Sequence, residues 1–194
     1  MLRLSMAESA PYLFTGLSRH TPEDTLVAAF RARHNRLSWQ WAAICEADGE
    51  VAGVLNAFPW SRATALNIGL GMVVLGVHGP LGLLRMLGRL TPKVGMRAVD
   101  RGEYFLSQLA VLPEFQRQGV GTRLLAHAEQ QARAHGLIKC SLLVDAHNEG
   151  ARRLYERTGY RVVYSGTIRY RVPAVRESAY HRMVKELSHE PASG

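Results

Sequence analysis

The segment of the sequence best suited to chemistry is a glycine-containing heptapeptide, Gln116 to Thr122 (QRQGVGT). It stands between a predicted strand and an amphipathic helix, so consecutive backbone N–H groups and the helix dipole can converge on an anion. Arg117 adds a permanent positive charge, and Thr122 adds a hydroxyl to the first helical turn. Gly119 and Gly121 remove Cβ atoms where a diphosphate would approach the backbone. The segment therefore predicts a phosphate-binding loop.

Two common phosphate-binding motifs do not fit this loop. A Walker loop needs a GK[ST] ending, which is missing. A dinucleotide-binding fingerprint needs a third glycine at position 124, which is Leu124, and its first glycine directly after the strand, whereas residues 113–118 intervene here. Asp145, at the end of the next predicted strand, would suit the ribose of a dinucleotide, so a Rossmann-type site stays as a minor alternative.

Residues 103–165 resemble the GNAT superfamily of acetyl-CoA-dependent N-acetyltransferases. The first signature of that family is Gln or Arg, two residues, Gly, one residue, and Gly or Ala, after a strand that ends in a sequence like LAV-x-P. The chain has LAVLP at 109–113 and then Gln116 to Gly121. A second signature follows at the expected distance, with these matches: Asn148, Ala151, LYE at 154–156 and GY at 159–160. Two motifs at the right separation are more specific than either alone.

The resemblance implies a single-domain α/β fold with a mixed, mostly antiparallel central sheet, helices on both faces and a splayed parallel strand pair. It also implies that acetyl-CoA is the acyl donor. The splayed strand would bind the pantetheine arm like a missing strand, with the thioester near Leu109, and the loop would hold the pyrophosphate. The cofactor-binding residues implied in this way are Leu109, Ala110, Val111, Gln116, Arg117, Gln118, Gly119, Val120, Gly121, Thr122, Asn148 and Tyr155. Leu109 and Val111 also suit any apolar core, and Asn148 is also a good helix N-cap.

Tyr155 is the predicted catalytic acid. Attack of an amine on a thioester expels a thiolate whose conjugate acid has a pKa of about 8.5, and a phenol with a pKa of about 10 stays protonated at neutral pH and can donate to it. A backbone N–H near Val111 would stabilise the oxyanion. Neither motif contains a cysteine, so no covalent enzyme intermediate is expected. The alternative for Tyr155 is an amphipathic core tyrosine.

Glu103, at the start of the strand before the loop, is the predicted general base, because an alkylammonium must lose a proton before it attacks. Strict alternation places four side chains on the face expected for the thioester: Glu103, Phe105, Ser107 and Leu109. The alternative for Glu103 is a solvated strand end, with ordered water relaying the proton. His147 and Asp145 are interpreted as ordinary loop residues, and no metal is expected.

The elements that must position these residues follow from caps and periodicity. Thr21 and Pro22 predict a helix start, and the helix should run to about His34. The Asp48-Gly49 step between WQWAAICEA and EVAGVLNAF predicts a hairpin of two strands. Further elements are expected in this order: a strand at 103–111, a helix at 120–135, a strand at 139–144, a helix at 149–157, and strands at 160–164 and 181–187.

Residues 65–84 form an uncharged stretch of twenty residues, about the length of a membrane span. Gly79 and Pro80, the fifteenth and sixteenth residues of the stretch, predict a break, with a second helix that starts at Pro80. We therefore expect an apolar insertion over the core or a substrate pocket, and no span; a membrane-surface protein anchored through this stretch is the alternative. One domain is expected over residues 1–194, with the insertion at 61–102 and a flexible tail at 188–194.

Composition excludes several classes of protein. Over 194 residues, 47% hydrophobic and 21% charged residues are ordinary globular values and exclude a disordered or collagen-like chain. The 24 basic and 16 acidic residues give a net charge of +8. A phosphorylated cofactor accounts for part of this excess, and no basic stripe interleaved with aromatics predicts nucleic acid. Cys45 and Cys140 are far apart and predict free thiols, and the N-terminus lacks the apolar core of a signal peptide, so a cytoplasmic location is expected.

These observations together predict an acetyltransferase that moves an acetyl group from acetyl-CoA to a primary amine by direct attack. The acceptor would be a small molecule or a peptide, and the apolar insertion slightly favours a small or partly hydrophobic one. A homodimer is left open. The alternative function is a noncatalytic CoA-binding regulatory module.

Overall fold

The computed structural model describes residues 14–89, 99–168 and 178–188. Six strands form one sheet in the order β1-β2-β3-β4-β6-β5. Their bounds are β1 (Ala42–Ala47), β2 (Glu50–Pro59), β3 (Glu103–Val111), β4 (Lys139–Asp145), β5 (Arg161–Ile168) and β6 (Ser178–Glu186). The longer helices are α1 (Pro22–Arg31), α2 (Ala63–Arg89), α3 (Val120–Ala134) and α4 (Glu149–Arg157). All neighbouring strands are antiparallel except β3 and β4, which confirms the predicted fold class.

Local sequence explains how the first elements begin. Thr21 caps α1 reciprocally, because Asp24 N donates to Thr21 Oγ1 at 3.2 Å and Thr21 N donates to Asp24 Oδ2 at 2.8 Å. The predicted hairpin is confirmed, with positive φ angles of 53° at Asp48 and 78° at Gly49. Two boundaries were wrong. Helix α1 ends at Arg31 rather than near His34, and residues 39–41 form a 3-10 turn instead of the start of β1, because Ser38 caps that turn.

The apolar insertion forms a helical hairpin. Helix α2 is broken at Gly79, where φ is 71° and ψ is −178°, as the sequence predicts. The two segments fold back on each other, since a Cβ added to Gly71 would lie 3.9 Å from Leu83 Cδ1. His78 connects the hairpin to residues 18–25 by two hydrogen bonds. Its Nδ1 lies 2.7 Å from Ser18 Oγ, and its Nε2 lies 2.6 Å from Thr25 Oγ1. Burial lowers the pKa of His78 and favours its neutral form.

Much of the hairpin surface is apolar and exposed. Five of its large side chains are more than half exposed: Ile68, Met72, Leu81, Leu84 and Leu87. By length and composition, Trp60–Arg89 is apolar enough to cross a membrane. The break divides it, however, into segments of about 24 Å and about 15 Å at 1.5 Å per residue, and each is shorter than the roughly 30 Å of a hydrocarbon core.

The two faces of the sheet are packed differently. The face that we call the α3 face packs against α3 and α4, and its core includes Leu55, Leu125, Leu142 and Met183. The opposite face, which we call the α2 face, packs Phe58 and Phe105 against Leu66 at the start of the hairpin. Helices therefore cover both faces, as predicted.

A β-bulge at Ser107 exchanges the two faces along β3. Asn56 pairs with Gln108 and Ala57 pairs with Leu106, so Ser107 is an extra residue in the ladder. Tyr104 and Leu106 belong to the α3-face core, and after the bulge Leu109 and Val111 pack against it. The prediction that Glu103, Phe105, Ser107 and Leu109 share one face was therefore wrong, because one extra residue inverts the alternation.

Strands β3 and β4 separate directly before the bulge. Their last parallel pair is Leu106 with Leu142, although β3 continues to Val111 and β4 continues to Asp145. Among the six described strands, residues 107–111 thus have a neighbour only in β2, and residues 143–145 have one only in β6. The splayed parallel pair that the resemblance implied is confirmed, and it leaves backbone N–H and C=O groups of β3 facing an open cleft.

Candidate active site

The loop from β3 to α3 is braced at its base and exposed at its tip. Leu112 N donates to Ala52 O at 3.0 Å, and the side chain of Gln116 donates to Val111 O at 3.3 Å. The side chain of Gln118 donates to Glu114 O at 2.7 Å. Residues 116–119 are exposed, including Arg117. The side chains of Gln116 and Gln118 therefore stabilise the conformation of the loop, and Arg117 gives it a positive charge.

Gly119 is the residue that turns this loop into α3. It has a φ angle of 82°, which favours glycine, and a Cβ added there would meet no atom within 4 Å. The first-turn N–H groups that follow, from Val120 to Thr122, have no partner inside the helix and point towards the loop. Val120 itself is buried, so it can offer only its backbone, whereas Thr122 is exposed. The geometry is that of an anion-binding helix N-terminus.

Gly121 has a different role from the one that the sequence indicates. A Cβ at this position would lie 2.8 Å from Leu154 Cδ2, so this glycine lets α3 and α4 approach each other. Both glycines were predicted to allow the approach of a diphosphate. The space next to Gly119 is open, and its role towards a diphosphate stays a prediction, whereas Gly121 is in contact with α4.

Asn148 caps α4 and is exposed. Its Oδ1 accepts a hydrogen bond from Ala151 N at 3.0 Å, which is the N-cap role that the sequence also predicts. With the oxygen engaged, the amide N–H₂ is the part of Asn148 that can donate to a ligand.

Tyr155 lies on the α3 face. It is 8% exposed and belongs to the same apolar cluster as Leu142 and Val144, against which Leu109 and Val111 pack. Burial raises the pKa of Tyr155 to about 12. The structure therefore brings the predicted acid and the open part of β3 to one face, with a phenol that stays protonated at neutral pH.

Glu103 lies apart from the other predicted site residues. It is 3% exposed, and both of its carboxylate oxygens lie 2.6 Å from Arg182 Nη2. Asp100 N donates to Glu103 Oε2 at 2.9 Å, and Arg182 also pairs with Asp100. Glu103 is on the α2 face, six residues before Leu109, or about 20 Å along the strand. It is neither a solvated strand end nor close to the expected thioester position.

Sequence reasoning missed a polar cluster at the bulge. Arg36 donates from Nη2 to Ser107 Oγ at 3.1 Å and from Nη1 to Asn67 Oδ1 at 3.4 Å. Gln108 and Asn56 lie beside Ser107 on the two paired strands. No local motif marks these residues, because the bulge that groups them cannot be seen from the alternation pattern. Within residues 14–89, 99–168 and 178–188, no group of three His, Cys, Asp or Glu side chains is arranged to hold a metal ion.

Comparison with known proteins gives consistent matches. A family model described as acetyltransferase (GNAT) family matches residues 6–160. An uncharacterized N-acetyltransferase of Bacillus subtilis, YycN, is 39% identical over 59 residues, which are 30% of this chain and 38% of that protein. The ribosomal protein bS18-alanine N-acetyltransferase of Salmonella typhimurium is 33% identical over 110 residues, which are 54% of this chain and 66% of that protein.

A similar fold is found over nearly the whole chain. A crystal structure of an acetyltransferase superimposes with a TM-score of 0.65 and 26% identity, covering 96% of this chain and 92% of that one. The curated relatives are matched over a smaller part, since the chain spans 38% and 66% of the lengths of the two that are described above.

Proposed function

Because this chain belongs to the GNAT acetyltransferase family, we propose that it transfers an acetyl group from acetyl-CoA to a primary amine. The observation that supports this most directly is the opening between β3 and β4 beside an anion-binding helix N-terminus. One unpaired strand edge and one phosphate loop, side by side, suit a ligand with an amide-containing arm and a pyrophosphate.

The residues present fit such a ligand. The N–H groups of Val120, Gly121 and Thr122, with Arg117, would hold the pyrophosphate. The backbone of Leu109, Ala110 and Val111 would pair with the pantetheine amides, and Asn148 would donate to the same arm. When bound, acetyl-CoA supplies an activated thioester.

The protein would then do two things at the reacting atoms. A backbone N–H near Val111 would donate to the carbonyl oxygen as the amine attacks, and this stabilises the developing negative charge. Tyr155 would donate its proton to the departing sulfur, so that a thiol rather than a thiolate is released. The amine nitrogen gains the acetyl group and loses one proton, which would pass through water to the Tyr155 oxygen and restore the phenol.

The proton of the acceptor ammonium is proposed to leave through water. Nη2 of Arg182 donates to both oxygens of Glu103, and the distance of about 20 Å to Leu109 is too long for direct proton transfer. In this proposal Glu103 stabilises the fold, and ordered water in the cleft relays the proton.

The phosphate loop can be tested by a matched pair of glycine substitutions. We expect Gly119→Ala to weaken acetyl-CoA binding at least tenfold, because a positive φ disfavours alanine and the first-turn N–H groups shift. Gly136→Ala is the control, since Gly136 has a φ of 67°, open space around it and a place at the other end of α3. Both changes should cost about 1–2 kcal/mol of stability. Titration calorimetry with CoA distinguishes them; equal affinities in the two variants would contradict the assignment.

The pH dependence of turnover follows from the pKa of Tyr155. An acid must be protonated to act, so its activity is present below its pKa and is lost above it. Because that pKa is about 12, we expect no decline of kcat from Tyr155 between pH 7 and pH 10. A kcat that falls through a pKa near 8 or 9 in wild type, and does not fall in Tyr155→Phe, would contradict this expectation.

A screen of primary amines with acetyl-CoA, following free thiol release, tests the function as a whole. The noncatalytic alternative, a CoA-binding regulatory module, predicts tight CoA binding and no acceptor-dependent thiol. A single domain over residues 1–194, a homodimer and a cytoplasmic location stay predictions. Residues 90–98 of the predicted 61–102 insertion, and all but the first residue of the predicted tail at 188–194, lie outside the described residues.

A further inference from the structure

The polar cluster at the bulge is not used by the proposed transfer chemistry. It lies on the α2 face, across the sheet from α3 and the phosphate loop, at the point where β3 and β4 separate. A molecule that enters the cleft from this face would meet β3 at Ser107, two residues before Leu109. That separation is about 7 Å along the strand.

Arg36 is the charged member of this cluster. Its hydrogen-bond partners among the described residues are the neutral oxygens of Ser107 and Asn67, and no carboxylate pairs with it there. Its backbone N donates to Leu66 O at 3.3 Å, which fixes the loop after α1 against the helical hairpin. A guanidinium held between neutral oxygens keeps the capacity for a bidentate bond to a carboxylate.

Gln108 and Asn56 supply hydrogen-bond acceptors, whereas Arg36 supplies donors. Gln108 is 8% exposed and Asn56 is 0% exposed, and each has a buried side-chain oxygen without a hydrogen-bond partner in the described chain. The bulge sets Ser107 and Gln108 against Asn56, so the three polar side chains lie together. Buried carbonyl oxygens of this kind cost free energy unless a donor reaches them, and an amine is such a donor.

The cluster is reachable from solvent. Arg36 and Ser107 are partly exposed and Asn67 is exposed, while Gln108 and Asn56 are buried beside them. A cation at the rim and amide oxygens at the floor match a ligand with a carboxylate at one end and an amine at the other.

We propose that this cluster is the acceptor subsite, and that the acceptor is an amino acid or another amine with a carboxylate. Arg36 binds the carboxylate, and the amide oxygen of Gln108, supported by Asn56, accepts from the amine and holds it beside Leu109. This inference rests on the proposed function and narrows it, because a polycationic amine would be repelled by Arg36.

Matched acceptors test the role of the carboxylate. We would measure thiol release from acetyl-CoA with three series: alanine, alaninamide and ethylamine; leucine, leucinamide and 3-methylbutylamine; and phenylalanine, phenylalaninamide and 2-phenylethylamine. Spermidine represents polycationic amines. Rates are compared per concentration of unprotonated amine, since the amine pKa differs within a series. We expect kcat/KM to be on the order of 10–100-fold higher for the amino acid of the best series than for its decarboxylated amine.

Variants of Arg36 separate a binding role from a structural one. Arg36→Gln should remove the preference for the carboxylate, mainly through KM, and Arg36→Lys should retain part of it. Arg62→Gln, at an exposed arginine next to the hairpin, should leave it unchanged. A merely structural Arg36 would lower the unfolding temperature and reduce the rates with amino acid and amine equally, which would overturn the inference.

Two outcomes distinguish this inference from the proposed function. Release of thiol with spermidine or with the decarboxylated amines, at rates equal to those with the amino acids, overturns the carboxylate subsite and leaves the transferase intact. If no amine releases thiol, calorimetric titration of leucine, alanine and phenylalanine into the CoA-loaded protein decides. Binding that Arg36→Gln weakens at least tenfold supports the subsite without catalysis, and absence of binding overturns it.

Discussion

Replacing Tyr155 with phenylalanine is expected to lower kcat by about 10²–10⁴, while acetyl-CoA affinity stays within a factor of about two. The ring would keep its place in the apolar cluster with Leu142 and Val144, so the fold and the cofactor cleft are preserved. Only the phenolic proton is lost, and the thiolate must then leave unprotonated or take a proton from water. Steady-state rates of thiol release and titration calorimetry with acetyl-CoA measure the two quantities separately.

Tyr160→Phe is the matched control for that result. Tyr160 is a second buried tyrosine of the same cluster, with its ring centroid 6.0 Å from that of Tyr155. Its variant should keep kcat, because no role in transfer is assigned to its hydroxyl. Unchanged kcat in Tyr155→Phe, or an equal loss in both variants, would contradict the assignment of Tyr155 as the acid.

Breaking the buried ion pair between Glu103 and Arg182 is expected to destabilise the protein by about 3–5 kcal/mol. Glu103→Gln removes the negative charge that lies 2.6 Å from Nη2 of Arg182, a residue that is 8% exposed, while Asp100 stays 3.2 Å from the same nitrogen. The double variant Glu103→Leu with Arg182→Met should recover most of the loss, because two apolar side chains replace two buried charges. Denaturant unfolding measures these differences. Lys139→Met, in an exposed pair with Glu186, should cost less than about 1 kcal/mol.

The same variants decide whether Glu103 is a base. If it stabilises the fold, the double variant should keep kcat at a temperature where it is folded, because water relays the proton of the amine. If Glu103 is the base, the double variant loses kcat although its stability has returned, and the water proposal is then wrong.

The fold could be predicted from the sequence because its local signals are strong. Thr21, Asp24 and Pro22 specify the start of α1, and Asp48-Gly49 specifies the first hairpin turn. The LAV-x-P strand and the glycine loop identify β3 and α3 as the cofactor side. Gly79-Pro80 identifies the break in the apolar insertion. These features depend on neighbours in the chain, so a single sequence contains them.

The errors in the site have a common physical cause. The bulge depends on how β3 pairs with β2 and on where β4 separates from β3. No residue type in β3 indicates that the strand contains an extra residue. Alternation therefore put Glu103 and Leu109 on one face, when the bulge separates them. The partner of Glu103 is Arg182, 79 residues later, and the contact of Arg36 with Ser107 spans 71 residues. Such long-range contacts have no signal in local spacing.

The bulge at Ser107 also determines how this protein can vary. Side chains of β3 alternate between the two faces of the sheet. Even-numbered residues face α3 before the bulge, and odd-numbered residues face α3 after it. Losing Ser107 would make the Leu106–Ala57 and Gln108–Asn56 pairs consecutive in a regular ladder, so Gln108, Leu109 and Val111 would keep their faces and the acceptor side alone would lose a side chain. Substitutions can therefore tune each side of β3 independently, and loss of the extra residue would change the acceptor side while the cofactor side keeps its register with β2.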